Sequence, residues 1–249
     1  MVAEQKVDVK EYNPDSESAW CPGCGNFGIL RSVDKALVDL GLHPHQVLLV
    51  SGIGQSSKLP HYTHANVFNG LHGRPMPTAT AAKLVNRELN VIVISGDGDA
   101  YGEGGNHFMH AMNRNSDLTY LVHNNQIYGL TKGQASPTTD LGLTTNLNPQ
   151  GAWHAMRPLA VAVACDCSFV ARGFSADIDH LAGLIEQGVK HKGFALIEIL
   201  QPCVTFNKKI LISGTRTGYI SLKIPNMIPK INAGPCKKRW NGATTSPSV

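Results

Sequence analysis

Apolar residues in this chain fall into short continuous runs, each closed by glycine or by small polar residues. Residues 91–94 (VIVI) form such a run and stop at Gly96-Asp97-Gly98; residues 118–122 form another and stop at Asn124-Asn125. Runs of this length without polar alternation read as strands buried on both faces, the habit of parallel sheets. Between them a glycine-rich turn leads into a helical stretch over residues 106–114. The segment is therefore a strand–helix–strand unit, and its crossover is expected to be right-handed.

The same reading places short strands at residues 47–50, closed by Ser51-Gly52-Ile53-Gly54, at 168–171, and at 194–199, which leads into Gln201-Pro202-Cys203. Helical periodicity appears over residues 27–40, with Ile29, Leu30, Val33, Leu37 and Leu40 on one side and Gly41 as the stop. It appears again over 178–190, with Leu181, Leu184, Ile185 and Val189. Further helices are expected to begin at residue 80 and to cover 159–165. Residues 61–77 read as loop. Residues 134–150 read as a long loop, a feature often tied to function in compact domains. Together these elements predict an α/β fold, a mostly parallel sheet flanked by helices.

Composition changes this picture in two places. The net charge of +4 is uneven: residues 199–249 hold eight Lys or Arg and no Asp or Glu, leaving 14 basic against 18 acidic residues in the rest. The stretch lacks the aromatic-basic interleaving pattern of a nucleic-acid binder, so nucleic acid is not an expected partner. No apolar run reaches membrane-spanning length, and the polar start MVAEQKVDVKEYN lacks the core of a signal peptide. A cytoplasmic protein is the expectation. Six cysteines without a secretory signal then suggest reduced thiols or metal ligands rather than a disulfide framework.

The chemistry concentrates at strand ends. Ligands of open α/β sheets bind at the carboxyl ends of strands, where Asp97 and Asn125 are expected on neighbouring strands. A carboxylate and an amide oxygen meeting there suit Mg²⁺, whose octahedron is commonly completed by phosphate oxygens. Gly98, Gly102, Gly104 and Gly105 would let backbone N–H groups approach that phosphate. A metal–diphosphate site is the expectation.

These residues carry a resemblance. GDG, 25 intervening residues and NN resemble the diphosphate motif of thiamine-diphosphate enzymes. WCPGCGNFG, SGIGQSSKLPHY, NVFNGLHGRPMPTAT, GGNHFMHAMNRN, NNQIYGLTKGQASPTT and QPCVTFNK resemble, in order, segments of the β subunit of 2-oxoacid:ferredoxin oxidoreductases. The resemblance covers roughly residues 20–208 and implies three regions: an N-terminal arm (1–19) that packs on a partner or frays, a thiamine-diphosphate-binding domain (20–209), and a basic tail (210–249).

The resemblance implies Mg²⁺ ligands at Asp97, Asn125 and the carbonyl of Ile127. It implies that Gly98, Asp99, Tyr128, Gly129 and Leu130 line the diphosphate, with Gly25, Gly54 and His72 near the cofactor. It gives catalytic roles to His72 and to Lys58, the latter toward a substrate carboxylate. In many members four cysteines hold a [4Fe–4S] cluster. Cys21, Cys24 and Cys203 match three of these, and Gln55 stands at the fourth. Either three thiolates share the cluster with another ligand or no stable cluster forms; a zinc site lacks a defined fourth ligand. Cys165 and Cys167 read as small core residues within a helix, and Cys236 matches nothing.

The implied reaction is oxidative decarboxylation of a 2-oxoacid, 2-oxoglutarate first and pyruvate second, with the acyl group passed to coenzyme A and electrons to ferredoxin. The pyrimidine-binding half of the cofactor site is expected on a separate α subunit. Alternatives are a non-redox thiamine-diphosphate decarboxylase or synthase, or a non-catalytic cofactor-binding subunit. After Lys209 the resemblance stops, acidic residues vanish and periodicity is lost. Back-translation read two nucleotides on admits a segment resembling the family's missing part, so a shifted reading frame over 210–249, and an irregular tail, are expected.

Overall fold

The computed structural model describes residues 6–14 and 16–207. The expected frameshifted tail and Cys236 lie outside the described residues. Six strands form one parallel sheet in the order β2-β1-β3-β4-β8-β7: β1 (Val47–Ser51), β2 (Asn66–Asn69), β3 (Asn90–Gly96), β4 (Leu118–Asn124), β7 (Phe169–Phe174) and β8 (Phe194–Leu200). Two short strands, β5 (Ile127–Tyr128) and β6 (Gln134–Ala135), pair antiparallel within the loop after β4. The helices are α1 (Asn26–Asp39), α2 (Pro75–Val85), α3 (Gly105–Arg114), α4 (Pro158–Ala164) and α5 (Ile178–Lys190).

Each central strand is apolar on both sides because each side meets a helix layer. In β3, Ile92 and Ile94 pack with Ile29, Val33 and Leu37 of α1 and with Leu181 and Ile185 of α5. Val91 and Val93 pack on the opposite layer with Met76 and Ala79 of α2, Phe108 and Met112 of α3, and Ala162 of α4. This two-sided burial is why the central strands read as runs and not as alternation.

From β1 the chain goes outward to β2, then returns past β1 to β3. The sheet therefore reverses its direction of growth between β1 and β3, and a crevice opens there at the strand ends. The loops after β1 (Gly52–Gly54) and after β3 (Asp97 onward) border it.

The structure corrects several expectations. The stretch 61–77 is not wholly loop: it holds the edge strand β2 and the start of α2, which Pro75 opens five residues before the expected position. β2 is exposed along its length, so it lacks the apolar signature of a central strand. The glycine-rich turn is instead a six-residue π-helix, Gly98–Glu103, a distortion often found at functional sites. Cys165 caps α4, and Cys167 lies beyond the left-handed Asp166 just before β7, so neither is inside a helix. In the described part of the N-terminal arm two side chains reach the core, while most of the others are exposed. Val7 and Tyr12 are buried in the core beside α1, and the Tyr12 hydroxyl donates to the Leu42 carbonyl at 2.6 Å.

Candidate thiamine-diphosphate site

Asp97 and Asn125 follow the adjacent parallel strands β3 and β4 and line one cavity of about 80 Å³ with His72, Gly98, Asp99, Ile127, Tyr128, Gly129 and Leu130. A second cavity of about 540 Å³ lies alongside, sharing Ile53, Gly54 and Leu130, and is lined further by Lys58, His61 and Asn69. The two make a cleft over the β1/β3 crevice. Lys58 belongs to the larger part and His72 to the smaller.

Asp97 is 1 % exposed. Its Oδ2 accepts hydrogen bonds from the Ser136 hydroxyl and, at 2.6 Å, from the Thr138 hydroxyl. Among the described residues its Oδ1 carries no side-chain hydrogen bond. Burial pushes its carboxyl up to about 6, with the two hydroxyls pulling the other way. Asn125 Oδ1 accepts the Ile127 N–H at 3.0 Å, an Asx turn that sets Gln126 in the left-handed region at φ 63°. One acceptor site remains on that oxygen. The donor set at the cavity wall is thus a carboxylate oxygen, an amide oxygen and the backbone of Ile127. Hard oxygens of this kind fit Mg²⁺ with phosphate oxygens completing the shell.

The glycines serve the same wall. Gly54 holds φ at +116° with open space around it, a conformation other residues rarely adopt. A Cβ on Gly98 would collide with the Tyr128 ring, whose hydroxyl donates to Glu103 at 3.1 Å.

Asp99 lines the cavity and also knots its wall together. Its Oδ1 accepts the N–H groups of Ile53 at 3.0 Å and Gly73 at 2.8 Å and the Nδ1 of His72 at 2.6 Å; its Oδ2 accepts the Ser95 hydroxyl at 2.6 Å. One buried carboxylate therefore ties the loops after β1 and β2 to the π-helix. It also fixes His72 with the proton on Nδ1, leaving Nε2 as the acceptor.

Cys21, Cys24 and Cys203 lie by the segment that follows β8. Gln201 Nε2 donates to Cys24 Sγ, Thr205 Oγ1 to Cys21 Sγ and the Phe206 N–H to Cys203 Sγ, each at 3.4 Å. Gly25 lines neither cavity; it packs between Ser175, Gln201 and Pro202, and its N–H donates to the Pro202 carbonyl at 3.3 Å. Burial raises the Cys24 thiol. Among the described residues no group of three His, Cys, Asp or Glu side chains stands close enough to hold a metal ion. Gln55 lies between the two regions: its carbonyl accepts the Trp20 indole N–H at 2.7 Å, and its Oε1 is buried without a partner.

Sequence reasoning missed Ser136, Thr138, Asn124 and Glu198, all buried near Asp97. Glu198 had a signal: it is the one charged residue in the otherwise apolar strand FALIEIL.

The family model for the thiamine pyrophosphate enzyme C-terminal TPP-binding domain matches residues 49–199. The 2-oxoacid:ferredoxin oxidoreductase subunit beta of Saccharolobus solfataricus is 51% identical over 76% of this chain and 63% of its own length. The 2-oxoglutarate synthase subunit KorB of Methanocaldococcus jannaschii is 40% identical over 84% of this chain and 78% of its own. The solved 2-oxoglutarate:ferredoxin oxidoreductase of Magnetococcus marinus, with 2-oxoglutarate, coenzyme A and succinyl-CoA bound, superposes with a TM-score of 0.83 at 36% identity, covering 86% of this chain and 74% of that one. The chain spans about 63% of the length of the Saccharolobus relative. No helix among the described residues is long and apolar enough to cross a membrane. With its parallel sheet, its diphosphate motif at the strand ends and these relatives, the chain belongs to the family of 2-oxoacid:ferredoxin oxidoreductase β subunits, built on the C-terminal thiamine-pyrophosphate-binding domain.

Proposed function

We propose that this chain supplies the diphosphate half of a thiamine-diphosphate site and, with an α subunit, oxidatively decarboxylates a 2-oxoacid to its acyl-CoA, passing electrons to ferredoxin. The observation that carries this is the convergence of Asp97, Asn125 and Ile127 on one cavity wall at the ends of adjacent strands. Those three residues would hold Mg²⁺, and the backbone around Gly98 and Gly129 would border the diphosphate. When bound, the cofactor's thiazolium supplies the electron sink for loss of CO₂.

The chain's own residues do the rest. Asp99 holds His72 so that Nε2 can take or return a proton at the cleft mouth. Lys58, on the larger cavity, offers a point charge to a carboxylate. A cavity of about 540 Å³ leaves room for more than a small 2-oxoacid. The bound 2-oxoglutarate and coenzyme A of the Magnetococcus enzyme support 2-oxoglutarate as first substrate; pyruvate stands second.

The thiols fit a four-thiolate cluster poorly. Gln55 occupies the fourth position, and Cys21, Cys24 and Cys203 do not form a ready site. These same observations favour one second reading, a non-redox thiamine-diphosphate decarboxylase.

A single assay separates the two. The chain is co-expressed with candidate α subunits, and CO₂ release and viologen reduction are followed across several 2-oxoacids with and without thiamine diphosphate. The proposal expects both signals, each dependent on the cofactor. CO₂ release without viologen reduction would select the non-redox reading, and reduction without thiamine diphosphate would refute both.

A further inference from the structure

A buried polar chain runs from the outer strand of the sheet to Asp97. Arg172 on β7 lies in register with Glu198 on β8, and its Nε and Nη2 donate to Glu198 Oε2 at 2.8 and 2.6 Å. Glu198 Oε1 accepts from Asn124 Nδ2 at 3.0 Å. Asn124 Oδ1 lies 2.9 Å from the Thr138 hydroxyl, which lies 2.6 Å from Asp97 Oδ2. Glu198 is fully buried, and Asn124, Thr138 and Asp97 are each at most 5 % exposed.

We propose that Arg172, Glu198, Asn124 and Thr138 form a positioning relay that holds Asp97 with Oδ2 occupied and Oδ1 turned to the metal. This rests on the reading of Asp97 as a metal ligand given above.

Each link has a direction. An ionised carboxylate only accepts hydrogen bonds. Glu198 therefore requires the NH₂ of Asn124 to face it, since a flipped amide would set oxygen against oxygen. The amide oxygen then faces Thr138. That hydroxyl has one hydrogen, and it is shared in a three-centre bond between Asp97 Oδ2, the closer and more negative acceptor at 2.6 Å, and Asn124 Oδ1 at 2.9 Å. Thr138 thus donates to Asp97 Oδ2, beside the Ser136 hydroxyl on the same oxygen. Arg172 compensates the charge of Glu198, which would otherwise add a second uncompensated anion near Asp97.

The sheet alone does not explain the chain of contacts. A buried ion pair gives a fold little that well-packed apolar residues would not give. Every strand position around Glu198 is apolar. The polar line ends on the candidate ligand, and outer-shell partners of metal ligands are what fix ligand orientation.

The test uses the full chain co-expressed with its α subunit. Mn²⁺ is titrated in the presence of thiamine diphosphate, its affinity read by calorimetry and its coordination by electron paramagnetic resonance. The wild-type protein is expected to bind and Asp97→Ala not to. Thr138→Val and Glu198→Leu should each weaken Mn²⁺ about 10–100-fold and broaden its spectrum. Glu198→Gln keeps an acceptor for Asn124 and should restore affinity to within about 3-fold. The Thr138→Val/Glu198→Leu double variant should be no weaker than the worse single one, because both break one line.

Folding is checked by circular dichroism. Thr138 sits on a loop, so its variant decides the matter even if Glu198→Leu does not fold. A folded Thr138→Val protein with wild-type Mn²⁺ affinity and spectrum overturns the relay while leaving Asp97 as ligand. Wild-type protein that binds no Mn²⁺, or Asp97→Ala that binds as well as wild type, overturns the ligand reading itself.

Discussion

The Asp97 cleft and the thiol turn are held in different ways. At the cleft, two carboxylates buried to within 2 % exposure are fixed by hydrogen bonds from several loops. At the thiol turn each sulfur accepts one hydrogen bond at 3.4 Å, Cys21 is exposed, and the three form no metal-holding group. The first region has its geometry before any ligand arrives. Preorganisation of this kind is what an electrostatic site needs, whereas metal binding by thiolates is commonly coupled to local ordering.

Removing the knot of the cleft should have the largest effect. Asp99→Ala strands three N–H donors and a hydroxyl, two of the donors being loop backbone. A loss of about 3–5 kcal/mol in unfolding free energy is expected, measured by denaturant titration. A loss under about 1 kcal/mol would mean the cleft is not preorganised, and the contrast would fail.

Asp97→Ala comes next and should separate binding from folding. Oδ1 makes no side-chain bond in the fold, and the Ser136 and Thr138 hydroxyls can turn to other acceptors nearby. Thiamine diphosphate affinity in the presence of Mg²⁺ should fall about 100-fold, roughly 3 kcal/mol, with the melting temperature of the ligand-free chain little changed. Equal affinity with and without Mg²⁺ in the wild-type protein would break this prediction.

A third carboxylate tests the thiol side. Asp34 lies on α1, the helix that begins right after the thiol turn, and is buried with one hydroxyl partner, Thr63 at 2.8 Å. Burial pushes its carboxyl up to about 7, against a value of 3.8 in the unfolded chain. The folded state thus binds the proton more tightly. Stability is greatest with Asp34 protonated and falls as pH rises from about 4 through about 7. Asp34→Asn removes that penalty, which the shift puts on the order of 4 kcal/mol at most. At pH 8 the variant should be about 1–3 kcal/mol more stable than wild type, and at pH 4 equal to it. A pH-independent difference would show that burial is not the cause.

How much of this was legible in the residues follows the same division. The central strands and α1, α3 and α5 announced themselves, because two-sided burial leaves unbroken apolar runs and one-sided burial leaves a helical stripe. Asp97 and Asn125 were legible for the same reason: they end such runs. The edge strand β2 was not, since NVFN is exposed and nothing marks it as paired except its neighbour β1. The π-helix was hidden by its glycines, which are equally at home in a turn. Asp99 read as a residue lining the site, and it does line the cavity, but its second role as a knot was not legible: its four partners come from positions 53, 72, 73 and 95, and such long-range saturation leaves no local pattern. Ser136 and Thr138 were named only as part of a loop, because a hydroxyl's partner depends on where the loop lands.

The smallest effect should come from Cys203→Ser, and it sharpens the contrast most. Cys203 Sγ accepts the Phe206 N–H in a short turn after β8, and a serine oxygen can accept the same bond. No other thiol depends on it for position in the fold. The metal-free chain should keep its stability to within about 0.5 kcal/mol. If iron loads on this region, the same substitution should abolish the visible absorbance of the loaded protein, since a hydroxyl is a poor partner for iron–sulfur chemistry. A large loss of stability in the metal-free chain would instead show that the thiols are part of the packed structure. That would place them with Asp99 rather than opposite it, and the difference between the two regions would lose its physical basis.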